Sequence, residues 1–323
     1  MTDRAVPAPY RLLSREFARG YVITMRPYLL FVSGITGMTG AAFSSVHSLP
    51  NIAMIACASF FSYGFGQALT DCFQVDTDRI SSPYRPLTQG RLSRNLVLAV
   101  SGLGLAGCVL TFAALNPCTL LIGLLAGIGL LTYTFFKRRW WGGPLYNAWI
   151  VAALCIIGFN SGNGVSPPFL PDGLLLATVL FGYANFVLAG YFKDTSADRA
   201  TGYRTLPVVF GRRLSARVSD VLALLMIVPA AALVLRDVQT AAHLPAGIVL
   251  LAGFGAVIRS QILLHSVSTD EEAHAPIALT VHGFILVLSA VALSRRPEWF
   301  LPLAVFYGLF VLALASRPEQ SQI

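Results

Sequence analysis

An all-α, polytopic transmembrane bundle of nine or ten helices, with a central cavity opening at the cytoplasmic loops, is the fold class that the sequence predicts. Three observations predict it. Hydrophobic residues make up 55% of the 323 and charged residues only 12%, with a mean hydropathy of +0.68, whereas soluble domains carry about 25% charged residues. The apolar residues gather into runs close to the ~20 residues that cross a hydrocarbon core. Clusters rich in Arg, Asp, Gly and Pro separate the runs, and their basic residues fall mostly on alternate loops.

The first twenty residues hold Arg4, Arg11, Arg15 and Arg19 and no apolar core, so they read as a cytoplasmic lead-in and not as a cleaved signal peptide. Ten spans follow in order. Tyr21–Phe43 and Ile52–Phe73 precede the first long polar loop, and Leu96–Leu115 with Pro117–Phe136 precede the second. Leu145–Phe159 and Leu174–Phe192 lead to the third loop, and Val218–Leu235, Ala246–Ile258, Ile277–Leu293 and Phe300–Ala315 complete the set. The eighth run is the shortest, which leaves the count at nine or ten. The expected organisation is a segment 1–20, a membrane domain 21–316 and a tail 317–323.

With a cytoplasmic N-terminus, the loops after the second, fourth and sixth spans share one face with Arg259 and Arg317. The opposite face keeps Arg236, Arg295 and Arg296, an asymmetry in the sense of the positive-inside rule. The net charge of +8 therefore reflects topology and phosphate chemistry, and no nucleic-acid partner is expected. Cys57, Cys72, Cys108, Cys118 and Cys155 lie singly in or beside apolar runs, without metal or disulfide spacing. His47, His243, His265, His274 and His282 show no ligand spacing either. An acidic helix end followed by a basic loop occurs at Asp71–Arg94 and again at Asp194–Arg217, suggesting two related halves.

Chemistry concentrates in those two segments. In the first, Gln67, Asp71, Gln74 and Asp78 fall on one helical stripe, with Asp71 and Asp78 about 20° apart in projection. Asp76 points away from that stripe while the helix stays regular. In the second, Asp194 and Asp198 are spaced i, i+4 and share a helix face. Carboxylates at membrane depth are costly unless paired, hydrated or metal-bound, which makes them functional candidates. Aspartates without His or Cys suit magnesium, which takes one or two carboxylates together with substrate phosphates. Arg85, Arg91, Lys137, Arg138, Lys193 and Arg204 stand close by in sequence to neutralise phosphate oxygens. Solvated helix caps, with the acids paired to neighbouring arginines, are the plainer alternative.

The run Lys193-Asp194-x-x-x-Asp198-Arg199-x-x-Gly202-x-Arg204-Thr205-Leu206-Pro207 resembles the second Asp-rich motif of the UbiA superfamily of intramembrane prenyltransferases. Pro83-Tyr84-Arg85-Pro86-Leu87, Gly90-Arg91-Leu92-Ser93, and Tyr133-Thr134 with Lys137-Arg138 and Asn147 are similar to that superfamily too. The likeness runs from about Arg26 to Gly211. Where the superfamily's first motif carries Asn, Asp and Asp, this chain has Thr70, Gln74 and Asp78, and Asp71 stands beside them.

The resemblance implies a magnesium-dependent enzyme. Asp71, Gln74, Asp78, Asp194 and Asp198 would hold Mg2+, and Arg85, Lys137, Arg138, Lys193 and Arg204 would bind the diphosphate of a prenyl substrate. Thr70, Asp76, Tyr133, Asn147 and Tyr183 would complete the cavity, with Phe65, Phe73 and Phe186 as further aromatic candidates. The expected reaction is ionisation of an isoprenoid diphosphate in the bilayer and transfer of the prenyl group to a lipophilic acceptor. Cyclisation without an acceptor and ion or solute transport are the competing readings.

Overall fold

The computed structural model describes residues 9–45, 48–165, 167–237 and 243–317. The start of the lead-in with Arg4, His47, and residues 318–323 of the tail lie outside the described residues. Among the described residues every regular element is helical.

Helix α1 (Arg15–Met25) is capped by Ser14, whose hydroxyl accepts from Phe17 N at 3.1 Å, satisfying one of the free donors of the first turn. Phe17, Tyr21 and Met25 recur every fourth residue on its buried face. The expected first span, Tyr21–Phe43, proves to be two helices. Arg26 adopts the left-handed conformation (φ 53°, ψ 73°), Pro27 opens a single 3-10 turn, and α2 (Leu30–Ala42) then begins. Proline disfavours the helical conformation for the residue before it, which fixes the break at this dipeptide.

Helix α2 is buried almost all round among α3 (Leu49–Asp71), α7 (Gly143–Gly162) and α12 (His274–Arg295). Its glycines make this possible. A Cβ on Gly40 would overlap the Cys155 carbonyl, and one on Gly37 would overlap Ser59, so α2 and its neighbours pack with backbones nearly touching, as small residues allow in membranes.

Among the described residues nine helical stretches are long and apolar enough to cross a membrane. They are built on α3, α5 (Arg94–Leu115), α6 (Thr119–Arg139), α7, α8 (Gly173–Lys193), α10 (Leu206–Asp237), α11 (Leu244–Ser266), α12 and α13 (Phe300–Ala315). The thirteen-residue α2 falls short of that length but threads the interior between the two ends. The expected eighth run, Ala246–Ile258, was too short because it stopped at Arg259. Helix α11 carries on past that side chain, which sits exposed on its surface. Helix α10, at 32 residues, includes a kink at Gly211 (φ 79°, ψ 162°) that separates a short lead from the crossing segment.

The three polar loops come together at one end of the bundle. The first carries α4 (Val75–Ser81) and the third α9 (Thr195–Ala200), which pack on each other with Thr77 Oγ1 3.0 Å from Thr201 Oγ1. Arg204 N donates to Arg138 O at 3.1 Å, joining the second loop to the third. The far end is closed by Arg296, which donates to the carbonyls of Ala42 and Ser44 at 3.2 and 2.8 Å.

Candidate functional site

Helix α3 ends at Asp71 and the chain bends through Gln74 (φ −118°, ψ 15°) before α4 restarts. The continuous stripe expected through Asp78 is therefore broken, yet Gln67, Asp71, Gln74 and Asp78 still line one cavity. Asp71 is buried and fully engaged. One Arg26 amine lies 3.0 Å from both of its oxygens, Gln67 Nε2 donates at 2.6 Å, and Arg85 stands 3.7 Å away. Arg85 Nη1 donates in turn to Asp78 Oδ2 at 2.8 Å. Two arginines and two aspartates thus form a compact buried network, and the left-handed turn at Arg26 aims its side chain into it.

Lys137, in the last turn of α6, lies opposite. Its ammonium donates to Gln74 Oε1 at 2.9 Å, stands 3.6 Å from Asp198 Oδ1, and is 5.1 Å from the centre of the Tyr191 ring. Tyr191 and Tyr133 share a hydroxyl hydrogen bond of 2.9 Å. Asp194 follows α8 directly and lines the cavity beside Lys193. Burial would raise its carboxyl, but Lys193, then Lys137 and Arg85, outweigh burial and hold it below the usual carboxylate range. Asp198 behaves oppositely, since burial pushes it up to about 6 while Lys137 pulls it down and Asp194 adds to the rise.

Thr70, Tyr133, Asn147, Tyr183 and Phe186 line the same cavity. Seven of the expected residues do not: Asp76, Arg91, Arg138, Asp198, Arg204, Phe65 and Phe73. Asp76 turns away from Asp78 within α4 and pairs with Arg138 at 2.8 Å, and Arg138 also donates to Tyr203 Oη at 3.0 Å. Arg204 is exposed and contributes its backbone. Phe65 packs against the α5 face, and Phe73 lies under Arg94. Asp198 is set behind Lys137, and among the described residues neither of its carboxylate oxygens is hydrogen-bonded, while Arg91 faces Tyr10 at 3.3 Å.

Sequence reasoning missed Arg26, Tyr63 and Tyr191 as cavity residues. An arginine inside an expected apolar span is itself a signal, and Arg26 offered it. The two tyrosines offered none among so many aromatics.

The residues present fit a magnesium ion held jointly with a substrate. Among the described residues no three His, Cys or carboxylate groups stand together as a ready metal cage. Asp194 nonetheless faces the cavity, and among the described residues its side chain has no hydrogen bond or ion pair, while Asp78 keeps one oxygen beyond its bond to Arg85. A hard cation that also needs phosphate oxygens suits such an incomplete set.

Away from the charged end the cavity is apolar, bounded by Leu105, Val109, Leu130, Ile150 and Leu154, and it holds about 1450 Å³ of empty space counting its open mouth. This is the architecture of a multi-pass integral membrane protein with a cavity that is charged at one end and apolar beyond it. The chain belongs to the UbiA prenyltransferase family, whose sequence profile matches residues 30–279. It is 29% identical over 212 residues to the digeranylgeranylglyceryl phosphate synthase of Thermococcus sibiricus, covering 64% of this chain and 74% of that one. The apo UbiA homolog from Aeropyrum pernix superposes with a TM-score of 0.71 at 21% identity, covering 81% of this chain and 96% of that one. The UbiA homolog from Archaeoglobus fulgidus bound to DMAPP and Mg2+ gives 0.59 at 17%, covering 83% and 99%. At those identities the likeness establishes the fold.

Proposed function

We propose that the chain ionises an isoprenoid diphosphate at the charged end of the cavity and transfers the prenyl group to a lipophilic acceptor. The observation that carries this reading is a single cavity in which Asp78 and Asp194, from separate helices, share space with Arg85, Lys137 and Lys193 above an apolar chamber. Asp78 and Asp194 would hold magnesium, which when bound supplies charge neutralisation to the departing diphosphate. Arg85, Lys137 and Lys193 bind the oxygens that carry the growing negative charge. Their fixed positions in a dry site make that stabilisation effective without reorganisation.

Asp71 has a different role here from the one its spacing suggests. Bound by Arg26 and Gln67, it orients Arg85 toward the headgroup and does not hold metal. As the allylic C–O bond breaks, its electron pair leaves with diphosphate; the acceptor's electron pair forms the new bond at C1, and the proton displaced from the acceptor passes to the released diphosphate or to water. The ring faces of Tyr133 and Tyr183, just inside the charged end, stabilise the electron-poor carbon in between. The charged end faces the cytoplasm, because the three loops that form it hold most of the basic residues.

Incubation of the purified protein in nanodiscs with a set of prenyl diphosphates and magnesium, with mass spectrometry of the products, tests the reading. Diphosphate release that depends on magnesium and yields an adduct with an added acceptor is expected. Release with a cyclic hydrocarbon product and no adduct would replace transfer by cyclisation, and absence of release would remove the enzymatic reading.

A further inference from the structure

The apolar chamber has a length that can be read from its walls. On α6 the lining residues Lys137, Tyr133, Leu130, Gly127, Ala126 and Gly123 recur every three or four positions, so one continuous helical face borders the chamber from its charged end inward. Gly123 lies ten residues before Tyr133, a depth of about 15 Å at 1.5 Å per residue. Helix α7 returns the same figure independently, since its lining residues run from Asn147 to Ile157, again ten residues or about 15 Å.

A floor closes the chamber at that depth. Phe112 and Ile157 are buried there in a cluster with Ala41, Ile55 and Cys108. At Gly123 a Cβ would stand 3.0 Å from both Val109 methyl groups, so α5 and α6 converge. The headgroup occupies the level between Lys137 and Tyr133, because long side chains on a helix lean toward its N-terminus and carry the Lys137 ammonium inward. An extended chain covers roughly 3.3–3.6 Å per three bonds. The remaining ~15 Å therefore takes about twelve main-chain bonds, or three isoprene units of four main-chain carbons each.

Resting on the proposed activity, we infer that the chamber selects a prenyl diphosphate of three isoprene units, a farnesyl chain, and that Gly127 is a residue that sets this length. Gly127 is part of the lining, and a Cβ placed on it meets no atom within 4 Å. Its missing side chain is space inside the chamber. A large residue there would lean toward Gly123 and raise the floor to the level of position 127, leaving about 9 Å below Tyr133, enough for two units.

The test compares the parent with Gly127→Phe for magnesium-dependent diphosphate release from geranyl, farnesyl, geranylgeranyl and geranylfarnesyl diphosphates. Gly255→Phe is the control, on an exposed face of α11 where a Cβ also meets nothing. The parent is expected to show its highest kcat/KM with farnesyl and a fall of at least about tenfold at geranylgeranyl, as added length meets a rigid floor. Gly127→Phe is expected to move the optimum to geranyl, and Gly255→Phe to leave it in place. A parent whose kcat/KM rises or holds through geranylgeranyl and geranylfarnesyl overturns the length limit while leaving the activity standing. A Gly127→Phe protein that keeps the farnesyl optimum overturns the role of Gly127. Release from none of the four by the parent removes the activity itself, and the length limit with it.

Discussion

Asp71 shows how much one side chain's role depends on partners that lie far away in sequence. Its spacing from Asp78 suggests two metal-binding carboxylates on one stripe, but Arg26, forty-five residues earlier, takes both of its oxygens. Removing one partner of a buried pair typically costs about 3–5 kcal/mol, because the other charge is left without compensation. Arg26→Ala is accordingly expected to lower the thermal midpoint of the purified protein markedly, as read by a thermal shift assay in detergent. Asp78→Ala and Asp194→Ala are each expected to reduce diphosphate release by at least about a hundredfold, the scale of losing a group that stabilises developing charge, while the proteins still insert in membranes. Asp76→Ala should be milder, since Asp76 pairs with Arg138 outside the cavity. Activity of Asp194→Ala equal to the parent's would contradict its placement. The acids themselves were legible in the sequence as costly groups beside apolar runs. What each one binds was not, because the bend at Gln74 and the left-handed turn at Arg26 decide which way each side chain faces.

At the scale of elements, the long apolar runs translated directly into helices, and Phe300–Ala315 appears with the same bounds that its hydropathy indicated. The exceptions have local causes. Arg26-Pro27 divides the first run, Gly211 kinks α10 ahead of the seventh run, and the eighth run was cut short at an arginine that the helix simply carries on its surface. Helix pairing was less legible, because in a bilayer nearly every helix face is apolar and periodicity no longer marks the buried side. Glycine was the usable sign. Gly40 of α2 lies against the Cys155 carbonyl of α7, and Gly40→Leu is expected to separate the two helices. Loss of the monodisperse peak in size-exclusion chromatography would record this, and a normally folded Gly40→Leu protein would show that the contact is dispensable.

For the whole molecule, three loops separated by two pairs of crossings converge at one end, and this alone brings Asp78 near Asp194. Alternation of basic loops made that convergence foreseeable, since loops on one side of a membrane can share a site. The proposed orientation, with the charged end toward the cytoplasm, rests on the same alternation. With the native cysteines replaced, a single cysteine at Thr88 is expected to react with an impermeant maleimide only after cells are opened, whereas one at Pro168 should react in intact spheroplasts. The reverse pattern would place the charged end outside.

On the proposed reading, carboxylates from two separate segments hold a diphosphate through magnesium at one cavity mouth. Calorimetric titration of a non-hydrolysable prenyl thiodiphosphate into the reconstituted protein measures this without requiring turnover. Binding that weakens at least about tenfold when magnesium is withheld, and equally when Asp78 and Asp194 are both replaced by alanine, is the predicted result. Undiminished affinity in both conditions would contradict it.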